Sequence, residues 1–532
     1  MYTKAKELVA MPKNDIALFD TTLRDGSQSA DINFSLKDKL ELVQAMDSFG
    51  FDYIELGWPG SNPKDIEAFR QAAKLKLKNS RIVAFGSTRR KRLKAEDDFN
   101  LQAIVKSKAP VACIFGKTWL QHVEKQLQMS PEQNIEAIKD SILFLAAKKL
   151  EVLYDLEHFF EGFKDNREYA LSCIRVASEA GAKVVVLCDT NGGTLAAEVE
   201  QIVREVRSFM QQCHFRAEIG VHFHNDSGVA VANTLAAVEL GATHVQGTLN
   251  GFGERTGNVD LIQVIPALAL KMGKSMAKVN LKELFALSGF AYTLAAVKPN
   301  SRQPYVGRNA FSHKGGIHVD AVMKGASYEH VNPQAVGNSR SIVLSDLSGK
   351  ANIVEVAKRF GYSVTKDNPA VAEMLQAVEQ MEKEGYDIGS LEAEQFLLAK
   401  RFFGKGEPLF DIMTWKATSE RREGKEYSSC ILKATVKGKE KDVVAEEEGG
   451  PVGAIFKAVG DLLGQSHKNA AKVLLTNYKV MIAEDHGAES SVRVYIEFQE
   501  NGSTWGTAGV SANILEASLM AIEKGFSYAL LK

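Results

Sequence analysis

Between roughly residue 15 and residue 275 the chain alternates short apolar runs with longer amphipathic ones, eight times over. The strand-like runs are Ile16–Asp20, Tyr53–Leu56, Arg81–Phe85, Val111–Phe115, Val152–Leu156, Lys183–Cys188, Ile219–Phe223 and Thr243–Leu249. Between them, Leu36–Phe49 spaces Leu36, Leu40, Val43 and Met46 with a helical rather than a two-residue period. Ile135–Leu145 and Val199–Met210 behave alike. Eight β–α alternations over about 260 residues are the expectation for a closed α/β (β/α)8 TIM barrel. A doubly wound open sheet is the rival fold. The regular repeats, without a nucleotide-binding fingerprint, favour closure.

A barrel of this kind carries its chemistry at the C-terminal ends of its strands. The polar residues that stand out in the sequence fall there. Arg24 and Asp25 follow the first run, Glu157 the fifth and Thr190 the sixth. His222 and His224 end the seventh, and Asn250-Gly-Phe-Gly-Glu-Arg-Thr-Gly-Asn258 follows the eighth. Closure would thus make neighbours of residues far apart in the chain.

At 532 residues the chain is too long for one ordinary core. The barrel is expected over residues 1–280. Residues 281–404 read as helical linker and lid segments, and 405–532 as a separate α+β unit. There Cys430–Val436 and Lys441–Ala445 pair as strands before a helix at Ala454–Leu463. Val492–Phe498, a turn at Glu500-Asn-Gly502, a strand near Thr504–Ala508 and a helix at Asn513–Lys524 repeat the pattern. Setting Gly450 against Gly509 pairs Ile455 with Ile514 and Ala458 with Ala517, an internal ββα duplication. Such repeats commonly pack against each other or against a partner chain.

A formal charge of −1, from 65 basic and 66 acidic residues, gives no global field that favours nucleic acid or an anionic membrane. Arg89-Arg-Lys-Arg92 reads as a solvated helix start. Five cysteines without regular spacing suit a reducing compartment. No signal-like apolar core is read near Met1, and no run approaches the ~18–20 residues of a membrane span. A cytoplasmic protein is expected.

His222 and His224 sit one residue apart, so a strand sends both side chains to one face, about 7 Å apart along the chain. With Asp25 they make a one-carboxylate, two-histidine set suited to a divalent ion such as Mn, Co, Fe, Zn or Mg. Asn258 is a weak neutral ligand or a donor to the ligands; its other reading is a turn residue. A metal with two open positions can chelate a 2-oxo acid and polarise its ketone. Arg24 suits a carboxylate, held bidentately. Its structural alternative is a salt bridge to Glu254 or Glu157, and Arg255 reads as a loop-fixing partner of Glu254.

Asp20-Thr-Thr-Leu-Arg-Asp-Gly-Ser-Gln28, Val221-His-Phe-His-Asn-Asp226 and Asn250–Asn258 resemble the signatures of the metal-dependent Claisen-condensing barrel enzymes. That family comprises the isopropylmalate, homocitrate and citramalate synthases with related acyl-CoA lyases. The duplicated tail resembles the family's amino-acid-binding regulatory domain, so the likeness covers nearly the whole chain. Tyr154-Asp-Leu-Glu-His-Phe-Phe-Glu-Gly162 and Trp505-Gly-Thr-Ala-Gly-Val-Ser511 are most similar to the branch that condenses acetyl-CoA with pyruvate, on the route towards isoleucine.

The resemblance implies metal ligands Asp25, His222, His224 and Asn258, with Mn or Mg favoured over Zn or Co. It implies Arg24 and Thr190 as substrate contacts and Glu157 as an active-site acid. Gly315-Gly-Ile-His-Val-Asp320 matches His318 to the proposed base, assisted by Tyr328, with His313 as the competing candidate. A homodimer and an isoleucine effector at the tail are implied too. The rival readings are a 2-isopropylmalate synthase, an acyl-CoA lyase, and a non-catalytic amino-acid sensor.

Overall fold

A computed structural model describes residues 15–315, 321, 328–345, 347–405, 408–467, 469–483 and 490–532. Eight parallel strands close into a barrel: β1 (Ala17–Asp20), β2 (Tyr53–Gly57), β3 (Arg81–Ser87), β4 (Val111–Lys117), β5 (Glu151–Glu157), β6 (Val184–Asp189), β7 (Glu218–Phe223) and β8 (His244–Gly247). Each lies next to its sequence neighbour, and β8 pairs back onto β1 through Leu18↔Val245 and Phe19↔Gln246. All eight strand-like runs of the sequence are strands, shifted by one or two residues at their ends.

Local signals explain the helices. Leu36–Phe49 starts at Ser35, whose side chain accepts from the Asp38 N–H while Asp38 caps in return. It ends at Gly50 (φ +112°), where a Cβ would collide with the Lys278 carbonyl. Pro131–Ala147 uses Ser130 and Gln133 in the same way, with Pro131 in its first turn. Leu42, Val43, Met46 and Phe49 are buried between this first helix and the strands. Arg89–Arg92 belongs to a loop and not to a helix start; Arg89 is drawn into an ion pair with Asp140 at 2.8 Å.

Inside the barrel, Phe19, Tyr53, Val83, Phe85, Val111, Cys113, Leu153, Val184, Val186 and Cys188 fill the bore. The N-terminal end of the strands is closed by charge. Glu151 accepts from Tyr53 Oη at 2.8 Å and meets Arg81 at 2.7 Å and Lys183 at 3.4 Å. The bore is thereby a packed core, open only at the other end. Past residue 280, helix Leu284–Leu294 still buries Leu284, Leu287, Ala291 and Tyr292 against the barrel's outer layer.

The described chain forms two compact units, one running to Phe311 with Val331–Ser339, the other comprising Ser312–His330 and Arg340–Lys532. The second contains the short parallel pair β9 (Ser312–His313) and β10 (Ser341–Ile342), then helices Lys350–Arg359, Pro369–Lys383 and Glu392–Phe403. Two antiparallel sheets follow. One orders β11 (Phe410–Arg422), β12 (Lys425–Val436) and β13 (Lys439–Glu448), covered by helix Pro451–Gly464. The other orders β14 (Leu474–Ile482), β15 (Val492–Glu500) and β16 (Ser503–Ser511), covered by helix Ile514–Leu531.

The repeat is therefore βββα, one strand longer than the sequence reading. β11 and β14 are edge strands, exposed along most of their length, so they lack the alternation that marks a half-buried strand. The Gly450–Gly509 alignment also fails locally: Gly450 caps a helix, whereas Gly509 lies within β16. Ala458 and Ala517 are both fully buried, but Ile514 is 42% exposed where Ile455 is buried. No helix among the described residues is long and apolar enough to cross a membrane.

A buried carboxylate helps to join the helical part of this unit to the second sheet. Glu394, 2% exposed, accepts from the Ala508 N–H at 2.9 Å and from Lys524 Nζ at 3.2 Å, while Lys524 donates to the Ala508 carbonyl at 2.8 Å. Glu394→Ala leaves the buried Ala508 amide without its acceptor and the Lys524 ammonium without its counter-charge, though still bonded to the Ala508 carbonyl. It is expected to lower the unfolding free energy of this unit by about 2 kcal/mol in urea titration.

Candidate active site and metal centre

β7 carries His222 and, one residue past its end, His224 on the same inward side, and the turn after β1 delivers Asp25 beside them. Asp25 Oδ2 lies 3.3 Å from His222 Nε2 and 3.8 Å from His224 Nε2, and the two Nε2 atoms are 3.2 Å apart. One donor atom from each of the three lies within 4.8 Å of the others, all three residues buried. Asn258, bridged to His224 through the backbone, completes the group. Its Nδ2 donates to Asp25 Oδ2 at 2.9 Å and lies 3.2 Å from His222 Nε2. Its Oδ1 is buried with no hydrogen-bond partner among the described residues. Gly253 (φ +151°) makes room for that oxygen, since a Cβ there would overlap it. One carboxylate, two imidazoles and a spare amide oxygen fit a divalent cation.

Electrostatics prepare the same centre. Burial alone would raise Asp25, but Arg24 and the His222 hydrogen bond outweigh it and hold the carboxyl well below the usual range. Burial and the neighbouring His222 push His224 down to about 4, so its imidazole is neutral at physiological pH. Arg24 is fixed from three sides: Glu55 at 2.7 Å, Asp25 at 3.2 Å, and the Phe85 ring with its centroid 3.7 Å from the guanidinium carbon. Its partners are thus Glu55 and Asp25, not Glu254 or Glu157.

A cavity of about 240 Å³ opens over these groups, lined by Arg24, Asp25, Glu157, Thr190, His222 and His224 among others. Glu157 pairs with Lys117 at 2.6 Å. Thr190 Oγ1 accepts from the His158 N–H at 2.9 Å. Arg255 fixes its loop mainly through Asp226, at 2.7 and 2.8 Å; Glu254 is farther, at 3.8 Å. His318 lies outside the described residues. Tyr328 and His313 belong to the second unit. There His313 Nε2 is 3.0 Å from Glu329 Oε1, and Glu329 is gripped by Arg340 through two bonds of 2.7 Å.

Sequence reasoning missed several residues that line this cavity or bond to the residues lining it. Glu55 on β2, Asp155 on β5 and Gln246 on β8 are buried polar residues within apolar strands. That misfit to the strand pattern was the available signal. Trp58, Phe85 and Phe115 form one aromatic side of the cavity, Phe85 and Phe115 stacked with centroids 5.4 Å apart. Nothing in their sequence context separates them from ordinary core aromatics.

Three family models match in order: HMGL-like over residues 15–290, homocitrate synthase post-HMGL domain-like over 305–385, and LeuA allosteric (dimerisation) domain over 392–530. An (R)-citramalate synthase of Sulfolobus acidocaldarius is 44% identical, covering 100% of this chain and 98% of the relative. One from Geobacter sulfurreducens is 43% identical over 97% and 98%. The chain belongs to the (R)-citramalate synthase family. A probable 2-isopropylmalate synthase of Archaeoglobus fulgidus is more distant, 29% identical over 97% of both chains. The citramalate synthases are acyltransferases, and the chain falls in that class.

Proposed function

We propose that this chain condenses acetyl-CoA with pyruvate and water to give (R)-citramalate and free coenzyme A, an entry into isoleucine biosynthesis. The observation that carries the reading is the meeting of Asp25, His222 and His224 with Arg24 in one cavity. Full-length likeness to citramalate synthases at 43–44% supports it.

A divalent cation, Mn or Mg by the family's pattern, would be held by Asp25, His222 and His224 with Asn258, and supplies Lewis-acid polarisation of the ketone. The protein's own groups do the rest. Arg24, immobilised by Glu55 and the Phe85 ring, orients the 2-oxo acid carboxylate, and Thr190 contacts it from β6's end. His318, with Tyr328, is the proposed base for the acetyl methyl proton; His313 is the competing candidate, already engaged with Glu329. The carbanion attacks C2 of the oxo acid, a carbon–carbon bond forms, and the carbonyl electron pair takes up a proton as the alcohol. Glu157 and Lys117 flank this centre and balance its charge. Water then adds to the thioester, the C–S bond breaks, and the thiolate leaves as coenzyme A.

We assign the barrel to residues 1–280, linker and lid to 281–404 and a regulatory part to 405–532, with isoleucine as effector. The protein works as a homodimer in the cytoplasm on this reading. Directly paired Ile431 and Val444, 50% and 64% exposed on the sheet face away from the helix, support an association surface. Unpaired cysteines support a reducing compartment.

The test is thiol release with four oxo acids, with and without chelator. On this reading the oxo acid's side chain lies against the Trp58, Phe85 and Phe115 side of the cavity, and 2-oxoisovalerate should run about 100-fold below pyruvate in kcat/KM. A preference for 2-oxoisovalerate would make the chain an isopropylmalate synthase. Cleavage without any condensation would make it a lyase.

A further inference from the structure

We propose that Gln246 is a positioning residue which, oriented by Asp155, holds His222 in the one tautomer able to bind a cation. The inference rests on the metal reading above. β7 and β8 are in register at His222↔Gln246, so the two inward side chains are neighbours. His222 Nδ1 lies 2.9 Å from Gln246 Oε1. Across the bore, Gln246 Nε2 lies 3.0 Å from Asp155 Oδ1 on β5. Gln246 is 0% exposed and Asp155 4%, so solvent does not compete for these bonds.

Donor and acceptor types then dictate the rest. A carboxylate only accepts, so Asp155 selects the NH2 side of the amide and turns Oε1 towards the imidazole. An amide oxygen also only accepts, so His222 Nδ1 must carry its proton. The neutral ring is left with an Nε2 lone pair, and Nε2 is the atom that faces Asp25 and Asn258. Reversing the amide would set an N–H against Nδ1 and move the ring proton to Nε2, where it blocks a cation. Three strands, β5, β8 and β7, thus relay one polarity from a carboxylate to a ligand nitrogen.

The experiment is Mn²⁺ binding to the full-length protein at equilibrium, read from the electron paramagnetic resonance of the free ion. Gln246→Met keeps the length of the side chain but removes the acceptor, and should weaken binding about tenfold or more. The exchange Asp155→Asn with Gln246→Glu restores the polarity: the new carboxylate accepts from His222 Nδ1, and the new amide donates to that carboxylate. It should bring affinity back to within about threefold of wild type, a recovery that repacking alone does not produce. Gln246→Met binding as tightly as wild type, or no recovery in the exchange, overturns the proposal. Asp25→Asn separates this from the parent reading: if wild type binds no Mn²⁺, or Asp25→Asn binds it equally well, the metal centre itself fails.

Discussion

Replacing His222 by alanine is expected to lower coenzyme A release roughly a thousandfold, about 4 kcal/mol in activation free energy. The size follows from what the side chain supplies. His222 is one of only two imidazoles in the donor set, 3.3 Å from Asp25 and 3.2 Å from both His224 and Asn258. Without it, one carboxylate, one imidazole and the weak Asn258 amide oxygen remain, too few strong donors to hold a divalent ion in a fixed place. Chelator treatment of the wild type should reach the same floor, and added Mn²⁺ should restore the wild type but not the variant. Steady-state thiol assays on both proteins check this. Full turnover after exhaustive chelation, or in His222→Ala, would remove the cation from the mechanism.

The barrel was legible because its signal is repetition: eight apolar runs at strand length, each followed by a helical period, admit few closed solutions. The residues at strand ends were legible for a related reason. Polar side chains such as Asp25, His222 and Asn258 end or follow apolar runs on the C-terminal side of the strands, and one topology gathers them. What failed has a physical cause in each case. β11 and β14 are sheet edges with little buried face, so no alternation marks them. The partners of Arg24 depend on how Glu55 and Phe85 point across the bore, and spacing along the chain does not encode that. Arg255 does pair with its neighbour Glu254, at 3.8 Å, but its closer partner Asp226, at 2.7 Å, comes from a loop returning near β7 that spacing along the chain does not reveal.

Acid should loosen the barrel through His244, at the end opposite the active site. His244 begins β8, fully buried, with its ring 5.4 Å from Phe19 and 5.5 Å from Tyr53. Neither ring nitrogen has a hydrogen-bond partner among the described residues. Burial, reinforced by Lys183, pushes the imidazole down to about 3 from an ordinary 6.5. The folded chain therefore keeps a neutral ring where the unfolded chain takes up a proton. Stability from this group is complete above pH 6.5 and is lost as pH falls from there towards 3, in all about 5 kcal/mol. His244→Leu, of similar size, has no proton to bind in either state. It should alter stability near pH 8 by less than about 1.5 kcal/mol and resist acid better than wild type. Hydrogen exchange of β1 and β8 peptides, measured from pH 8 to pH 4, reads the barrel separately from the second unit. The difference in protection between variant and wild type should widen steadily below pH 6.5. A constant difference across that range would mean that His244 is not the group that titrates.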